Sequence, residues 1–313
     1  MFFFIAKRAR NALILLFLAS VLCFSLVVSA PGNIAILIAE LRTPTATKAD
    51  IAKVAEEIGL NKPLLIRYTD WLGNAAHGNF GISYKTGEDV GTSLRSRLSV
   101  TATLVAGGAM VALVLSLLIG FLGALWAHRM PDHIARGLAL FGASTPSFFV
   151  GALLVYAFSV SFKIFPTFGY DGFRSFILPW LTIAMLPAAV LSRVVRVGLE
   201  EAMARPFVLT AMSKGFKRER ILVRDALPNI APTYLNALGT QIGLMVVGAV
   251  VVEPLFAWQG VAELFLTGVR FRDFMVVQAC LLIFITFFII LNVIVDVLMM
   301  LTDPRMRRQR SGS

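Results

Sequence analysis

Residues 206–232 read PFVLTAMSKGFKRERILVRDALPNIAP, a basic and polar stretch set between apolar runs long enough to cross a bilayer. Pro206 suits a first helical position and Gly215 suits a stop, so a short helix is predicted from Phe207 to Lys214. A second helical stretch is predicted from Lys217 to Leu227, ended by Pro228. Lys214, Lys217, Arg218, Arg220 and Arg224 lie in this stretch, and Arg205 stands just before it. Two readings follow: an ordinary basic loop on the cytoplasmic side of a membrane, or a helix–glycine–helix surface on which a soluble partner docks.

The rest of the chain supplies the membrane. Of its 313 residues 58% are apolar and the mean hydropathy is +0.79, beyond the roughly half-apolar composition of soluble domains. The formal charge of +11 does not point to nucleic acid, because the cations lie beside apolar spans and form no single tract. Cys23 and Cys280 both fall inside hydrophobic runs, which excludes a disulfide framework or a cysteine metal cluster.

Residues 1–10 read as a cytoplasmic N-terminus and 11–30 as a first span. Val28-Ser29-Ala30 imitates a cleavage site, but the apolar run of about twenty residues exceeds a signal core. Residues 31–99 form a large polar loop, expected outside the cytoplasm as a small subdomain, with a capping box at Thr47 and Asp50 opening a helix over Lys48–Ile58 and Gly59 stopping it. Residues 100–301 form a core with five more spans, near 100–127, 134–162, 176–199, 235–257 and 276–301, and a cytoplasmic loop at 200–234; residues 302–313 are a cytoplasmic tail. The N-terminus, the 128–136 link, the 193–234 loop and the tail hold 17 Lys or Arg, against 4 in the opposite links 163–174 and 270–273. Both termini are therefore expected in the cytoplasm. The fold class is an all-α polytopic membrane protein with six transmembrane helices and an extracytoplasmic loop subdomain. Ser144-Thr145-Pro146 and Pro187 mark expected kinks. Gly107-Gly108, Gly120, Gly123 and the Gly239, Gly243, Gly248 series allow helices to approach closely, within this chain or against another subunit.

Several of these segments resemble one family in order along the chain. Ala211, Gly215 and Leu227-Pro228 keep the spacing of the "EAA" loop of ABC-importer permeases, and TAMSKGF with ILVRDALPN is similar to the peptide/nickel group's TARAKGL and HALRN. Leu209 stands where the loop's glutamate would be, and Asp225 where that group has His. The loop wording from PGN (Asn33) through IGLNKPLLIRYTDWLGN to GNFGIS (Asn79) resembles the family's first outer loop, with Asn33 and Asn79 replacing acidic residues. Phe165–Tyr170 resembles its LPxxGY turn, Val252–Val261 its VExxFSWPGLG segment, and Asn292–Val297 with Asp303-Pro304-Arg305 its C-terminal NLIVDLLYAxxDPR.

The resemblance implies a type I ABC importer permease fold in a bacterial inner membrane. It implies one half of a pathway for di- or oligopeptides, with nickel or metal–chelator complexes as the alternative cargo. A second, homologous permease would complete a heterodimer, two cytoplasmic ATPases would supply energy and an external solute-binding protein would supply specificity. Thr210, Ala211, Lys214, Gly215, Phe216, Leu227 and Pro228 would then form the ATPase-coupling surface.

The residues themselves suggest no catalysis. His77, His128 and His133 lie in links on both sides of the membrane, no metal set is apparent, and Tyr84 before Lys85-Thr86 stands where a phosphate loop needs glycine. No cofactor is expected in this chain, ATP and magnesium belonging to the partner ATPases. Ionisable groups at span ends are costly and often functional. Asp296 is expected to pair with Arg305 or Arg307 or to line the exit. Glu253 and Trp258, together with Ser144 and Thr145, are candidates for a gate or pathway. A stand-alone channel or ion-coupled carrier would need acidic or His pairs near span centres, which this chain lacks.

Overall fold

The computed structural model describes residues 2–29, 34–43, 45–170 and 172–302. Asn33, Ala30 and the segment Asp303-Pro304-Arg305 with Arg307, singled out above, lie outside them. Among the described residues there is no β-strand, only an isolated bridge between Ile82 and Asp89.

In chain order the helices are α1 (Phe2–Val28), α2 (Ile34–Arg42), α3 (Lys48–Glu57), α4 (Leu64–Ala76), α5 (Val90–Leu125), α6 (Met130–Ser144) and α7 (Ser147–Leu154), which continues as a π-helical turn over Val155–Ser161. Then come α8 (Arg174–Met203), α9 (Pro206–Ser213), α10 (Arg218–Ile221), a π-turn over Leu222–Ala226, α11 (Leu227–Leu255), α12 (Val261–Arg270) and α13 (Phe274–Thr302). Five stretches are long and apolar enough to span a bilayer: Ala6–Val28, Val90–Leu125, Arg174–Met203, Arg218–Leu255 and Phe274–Thr302. The bent pair α6 and α7, if one span, makes six. In lipid the backbone must satisfy its own hydrogen bonds, so apolar runs of this length become helices.

The third span departs from the sequence expectation of one kinked helix over 134–162. It breaks by 108° between α6 and α7. Thr145 precedes Pro146, which pushes it out of the helical region; it sits at φ −99 and ψ 127. Its hydroxyl donates back to the Phe141 carbonyl at 2.7 Å, closing the end of α6. By contrast α8 runs through Pro179 and Pro187 without interruption.

The chain divides into two compact units, one holding Met1–Ile5, Val100–Gln259 and Ile290–Ser313, the other Ala6–Ser99 and Gly260–Ile289. In the first, the glycines of α5 allow it to lie hard against α8. A Cβ on Gly107 would fall 2.0 Å from Trp180, and one on Gly120 would fall 2.6 Å from the Ser192 carbonyl oxygen. Gly239 is likewise filled by Val295. These small-residue positions are thus used for packing inside the chain.

In the second unit, the capping box forms as read: Asp50 N–H donates to Thr47 Oγ1, and Thr47 N–H donates to Asp50 Oδ2 at 2.9 Å. The Thr47 hydroxyl, donating to Asp50 Oδ2 at 2.7 Å, and then the Thr47 N–H hold the Asp50 carboxyl below its ordinary range. Gly59, at φ +67, follows the end of α3. Ala35, Ile38, Ala39 and Val54 form a small core. Helix α12 replaces part of what the sequence left between the fifth span and the 270–273 link. Its Val261, Leu264 and Gly268 face inward at helical spacing, a signal that was present but short. Buried Asp273 accepts from the Ser83 hydroxyl at 2.6 Å, and Arg97 pairs with Glu263.

Candidate functional site

The 206–232 segment folds as a helix, a tight reversal and a second helix. Arg205 takes extended backbone before α9, and Pro206 sits in its first turn, where no intrahelical donor is required. Helix α9 ends in a Schellman motif. Gly215 N–H donates to the Met212 carbonyl at 2.8 Å and Phe216 N–H to the Ala211 carbonyl at 3.2 Å. Gly215 has φ +79, and nothing lies within 4 Å of where its Cβ would be. The glycine is therefore demanded by backbone conformation and not by crowding within this chain.

After Lys217 the backbone re-enters helix, and here the sequence reading is corrected. Pro228 does not end the second helix; Arg218–Leu255 forms one continuous span-length stretch. Proline cannot donate to the carbonyl four residues back and its ring crowds that turn. The helix widens into the π-turn over Leu222–Ala226 immediately before Pro228, which takes up that defect and lets α11 continue.

One face of this segment is anchored. Val208, Ile221, Leu222 and Ala226 are buried, the last two in a cluster with Ala124, Leu191, Val195, Leu199 and Tyr234. Arg218 donates to the Ala124 carbonyl at 3.0 Å, placing a cation at the C-terminal end of α5. The opposite face is open. Thr210, Lys214, Gly215 and Pro228 are exposed, while Ala211, Phe216 and Leu227 are half-buried. Arg220 lies 4.5 Å from the Phe216 ring centre. The sequence reading treated Leu209 only as a departure from a pattern. The structure leaves it 69% exposed with Met212 47% exposed beside it, an apolar ridge among cations. Their spacing of three was the signal that could have singled out the pair.

A buried ion cluster fastens the neighbouring link. Asp132, fully buried, accepts from Arg196 at 2.5 and 3.2 Å, from Arg136 and from the His128 backbone N–H. Arg196 also pairs with Glu200 at 3.2 Å. This ties the α5–α6 link to α8; of these residues the sequence reading named only His128, and not for this role.

The other sequence candidates fall elsewhere. Glu253 is fully buried and accepts from the Thr101 hydroxyl. Trp258 is 1% exposed, donating from Nε1 to the Gly169 carbonyl at 2.8 Å and stacking edge-on against Tyr170 and Phe176. The structure thus brings together the Phe165–Tyr170 and Val252–Trp258 segments, which the sequence reading had treated apart. Ser144 is exposed and Thr145 half-buried at the helix break, and Asp296 is half-buried in α13. Among the described residues no three His, Cys, Asp or Glu side chains converge as a metal would require.

A broken third span, tightly packed α5 and α8 and an exposed helix–turn–helix between apolar spans describe a polytopic helical membrane protein. The profile described as "Binding-protein-dependent transport system inner membrane component" matches residues 112–308, and that of its N-terminal part matches residues 1–105. The chain belongs to this family: it is a permease subunit of an ABC importer, a multi-pass inner-membrane protein whose class works with ATPase and binding-protein partners. It is 33% identical over 304 residues to the glutathione transport system permease protein GsiC of Escherichia coli strain K12, covering 97% of this chain and 98% of the relative. The same figures hold for GsiC of Shigella dysenteriae serotype 1. Among solved structures, the MetNI methionine ABC transporter in an inward-facing conformation matches with a TM-score of 0.54 at 13% identity, over 67% of this chain and 96% of that one. That likeness concerns the fold alone. The stand-alone channel and the ion-coupled carrier are thereby set aside.

Proposed function

We propose that this chain forms half of a translocation pathway for short peptides and that α9, the Gly215 turn and α10 are where a cytoplasmic ATPase docks. The observation that carries the reading is the asymmetry of that segment. Its inner face is buried in the helix core, while Leu209, Met212 and the surrounding Lys and Arg stand in solvent. An exposed apolar ridge rimmed by charge marks an interaction surface. A second, different permease completes the pathway, and two ATPases bind ATP and magnesium, this chain needing no cofactor of its own. The basic segments face the cytoplasm, which puts both termini there. The relatives named for glutathione, chemically a tripeptide, favour a peptide cargo over nickel.

The test is reconstitution of this chain with its companion permease, ATPases and binding protein in proteoliposomes. ATP-dependent uptake of a labelled di- or tripeptide is expected, with no uptake when the ATPases are omitted. Nickel uptake without peptide uptake would overturn the cargo, and full activity with two copies of this chain would overturn the heterodimer.

A further inference from the structure

The unit built from Ala6–Ser99 and Gly260–Ile289 holds a partly open cavity of about 290 Å³, walled by α1, the residues just after α3, α4, residues 79–84 and the start of α13. That volume is near the lower end of small-molecule sites, roughly 300 Å³ and upward. Phe24, Trp71, Phe80 and Tyr84 make much of its wall apolar and aromatic.

One polar group on the wall lacks the partner that burial normally demands, and one half-buried cation beside it carries no ion pair among the described residues. Gln278 is 4% exposed, and its Nε2 is, among the described residues, the one fully buried side-chain nitrogen or oxygen with no hydrogen-bond partner. Buried amides are almost always paired, so an unpaired one on a residue that borders a cavity is a donor that a small turn of the side chain would bring to a ligand atom. Arg67 lines the same cavity and has no ion pair among the described residues. The carboxylate on that wall, Asp70, is already engaged by Lys62 at 3.0 Å. Tyr84 stays a neutral phenol, because burial, and secondarily the charge of Asp273, holds its pKa above the ordinary range. The wall therefore offers one free cation, an unpaired amide donor and a phenol among aromatic rings.

We propose that this cavity is a ligand site for a carboxylate carried on an apolar or aromatic body. The carboxylate is received by Arg67 and the Gln278 amide, and the body lies against Phe24, Trp71 and Phe80. A guanidinium and an amide N–H both donate to a carboxylate, and charge-assisted bonds are the stronger kind. The C-terminus of a short apolar peptide and a fatty acid share this chemistry. The site does not depend on which solute the importer moves.

The experiment uses the assembled importer in phosphatidylcholine nanodiscs and reads quenching of Trp71, isolated by subtracting the Trp71→Phe variant. The probes are leucyl-bromophenylalanine and its C-terminal amide, and 11-bromoundecanoate and its methyl ester. At least one free acid is expected to quench saturably, its amide or ester binding about tenfold more weakly. Arg67→Gln should weaken the acid about tenfold, and Gln278→Leu about fivefold. Because Gln278→Leu removes an unpaired buried amide, its Tm should be unchanged or raised while affinity falls, a pairing that a purely structural role would not produce. Quenching by the dipeptide alone assigns the site to a solute, and by the bromo-acid alone to a membrane amphiphile; both support it. The proposal is overturned if neither acid quenches Trp71 saturably, if acid and neutral forms bind alike, or if Gln278→Leu binds as wild type. Should Arg67→Gln fail to insert, the acid–neutral comparison and Gln278→Leu decide.

Discussion

Gly215 is the position where a small change should separate folding from coupling. Its φ of +79 lies in the left-handed region, which costs an ordinary L-residue roughly 1–2 kcal/mol. No atom lies within 4 Å of the Cβ position, so Gly215→Ala brings strain without a clash inside the chain. If ATPase docking requires the Schellman turn, the strain lowers affinity by up to about 5- to 30-fold. Asn tolerates this conformation far better, so Gly215→Asn should stay within about threefold of wild type. Gly215→Trp adds bulk on the exposed side to the same strain and should abolish coupled uptake while leaving membrane insertion intact. The assays are ATPase association by co-purification from membranes, and peptide-stimulated ATP hydrolysis and uptake in proteoliposomes. The predicted order is wild type, Asn, Ala, Trp. Normal association and uptake in both Gly215→Ala and Gly215→Trp would refute the reasoning, because neither the turn nor the surface beside it could then be part of the contact.

Four further outcomes follow, three from the packing and one from the topology. Asp132→Ala strips a buried anion from Arg196, whose side chain is 14% exposed and keeps Glu200 at 3.2 Å; a loss of about 1.5–3 kcal/mol should appear as a Tm lowered by roughly 5 °C. Gly120→Ala puts a methyl 2.6 Å from the Ser192 carbonyl oxygen and the Val195 Cβ and should cost on the order of 1–3 kcal/mol in thermal unfolding. Gly137→Ala, with open space at its Cβ, should be neutral or stabilising by up to about 1 kcal/mol. Asn74→Cys should react with an impermeant maleimide added to intact cells, over a low background because Cys23 and Cys280 are buried. Labelling only after permeabilisation would invert the proposed topology.

What the sequence determined by itself was the set of features decided within a few residues or by bulk transfer to lipid. Apolar runs marked the spans because an unsatisfied backbone cannot sit in hydrocarbon. Thr47 and Asp50 announced α3 because a capping box closes over three residues, and Gly215 announced the end of α9 because only its backbone accepts a left-handed turn cheaply. Thr145 before Pro146 announced a bend, but not its 108°. That angle depends on what α6 and α7 each pack against. Pro228 misled because a proline defect ends a helix only where nothing compensates, and here a π-turn does. Helix α12 was missed because ten residues between two long spans carry too short a periodic signal. The tertiary structure alone brought Trp258 to the Gly169 carbonyl, Thr101 to Glu253 and Arg196 to Asp132. It also separated the buried side of the 206–228 segment from its exposed Leu209–Met212 ridge. These pairings join residues far apart in the chain, so they depend on which helices become neighbours, and local propensity carries no record of that choice.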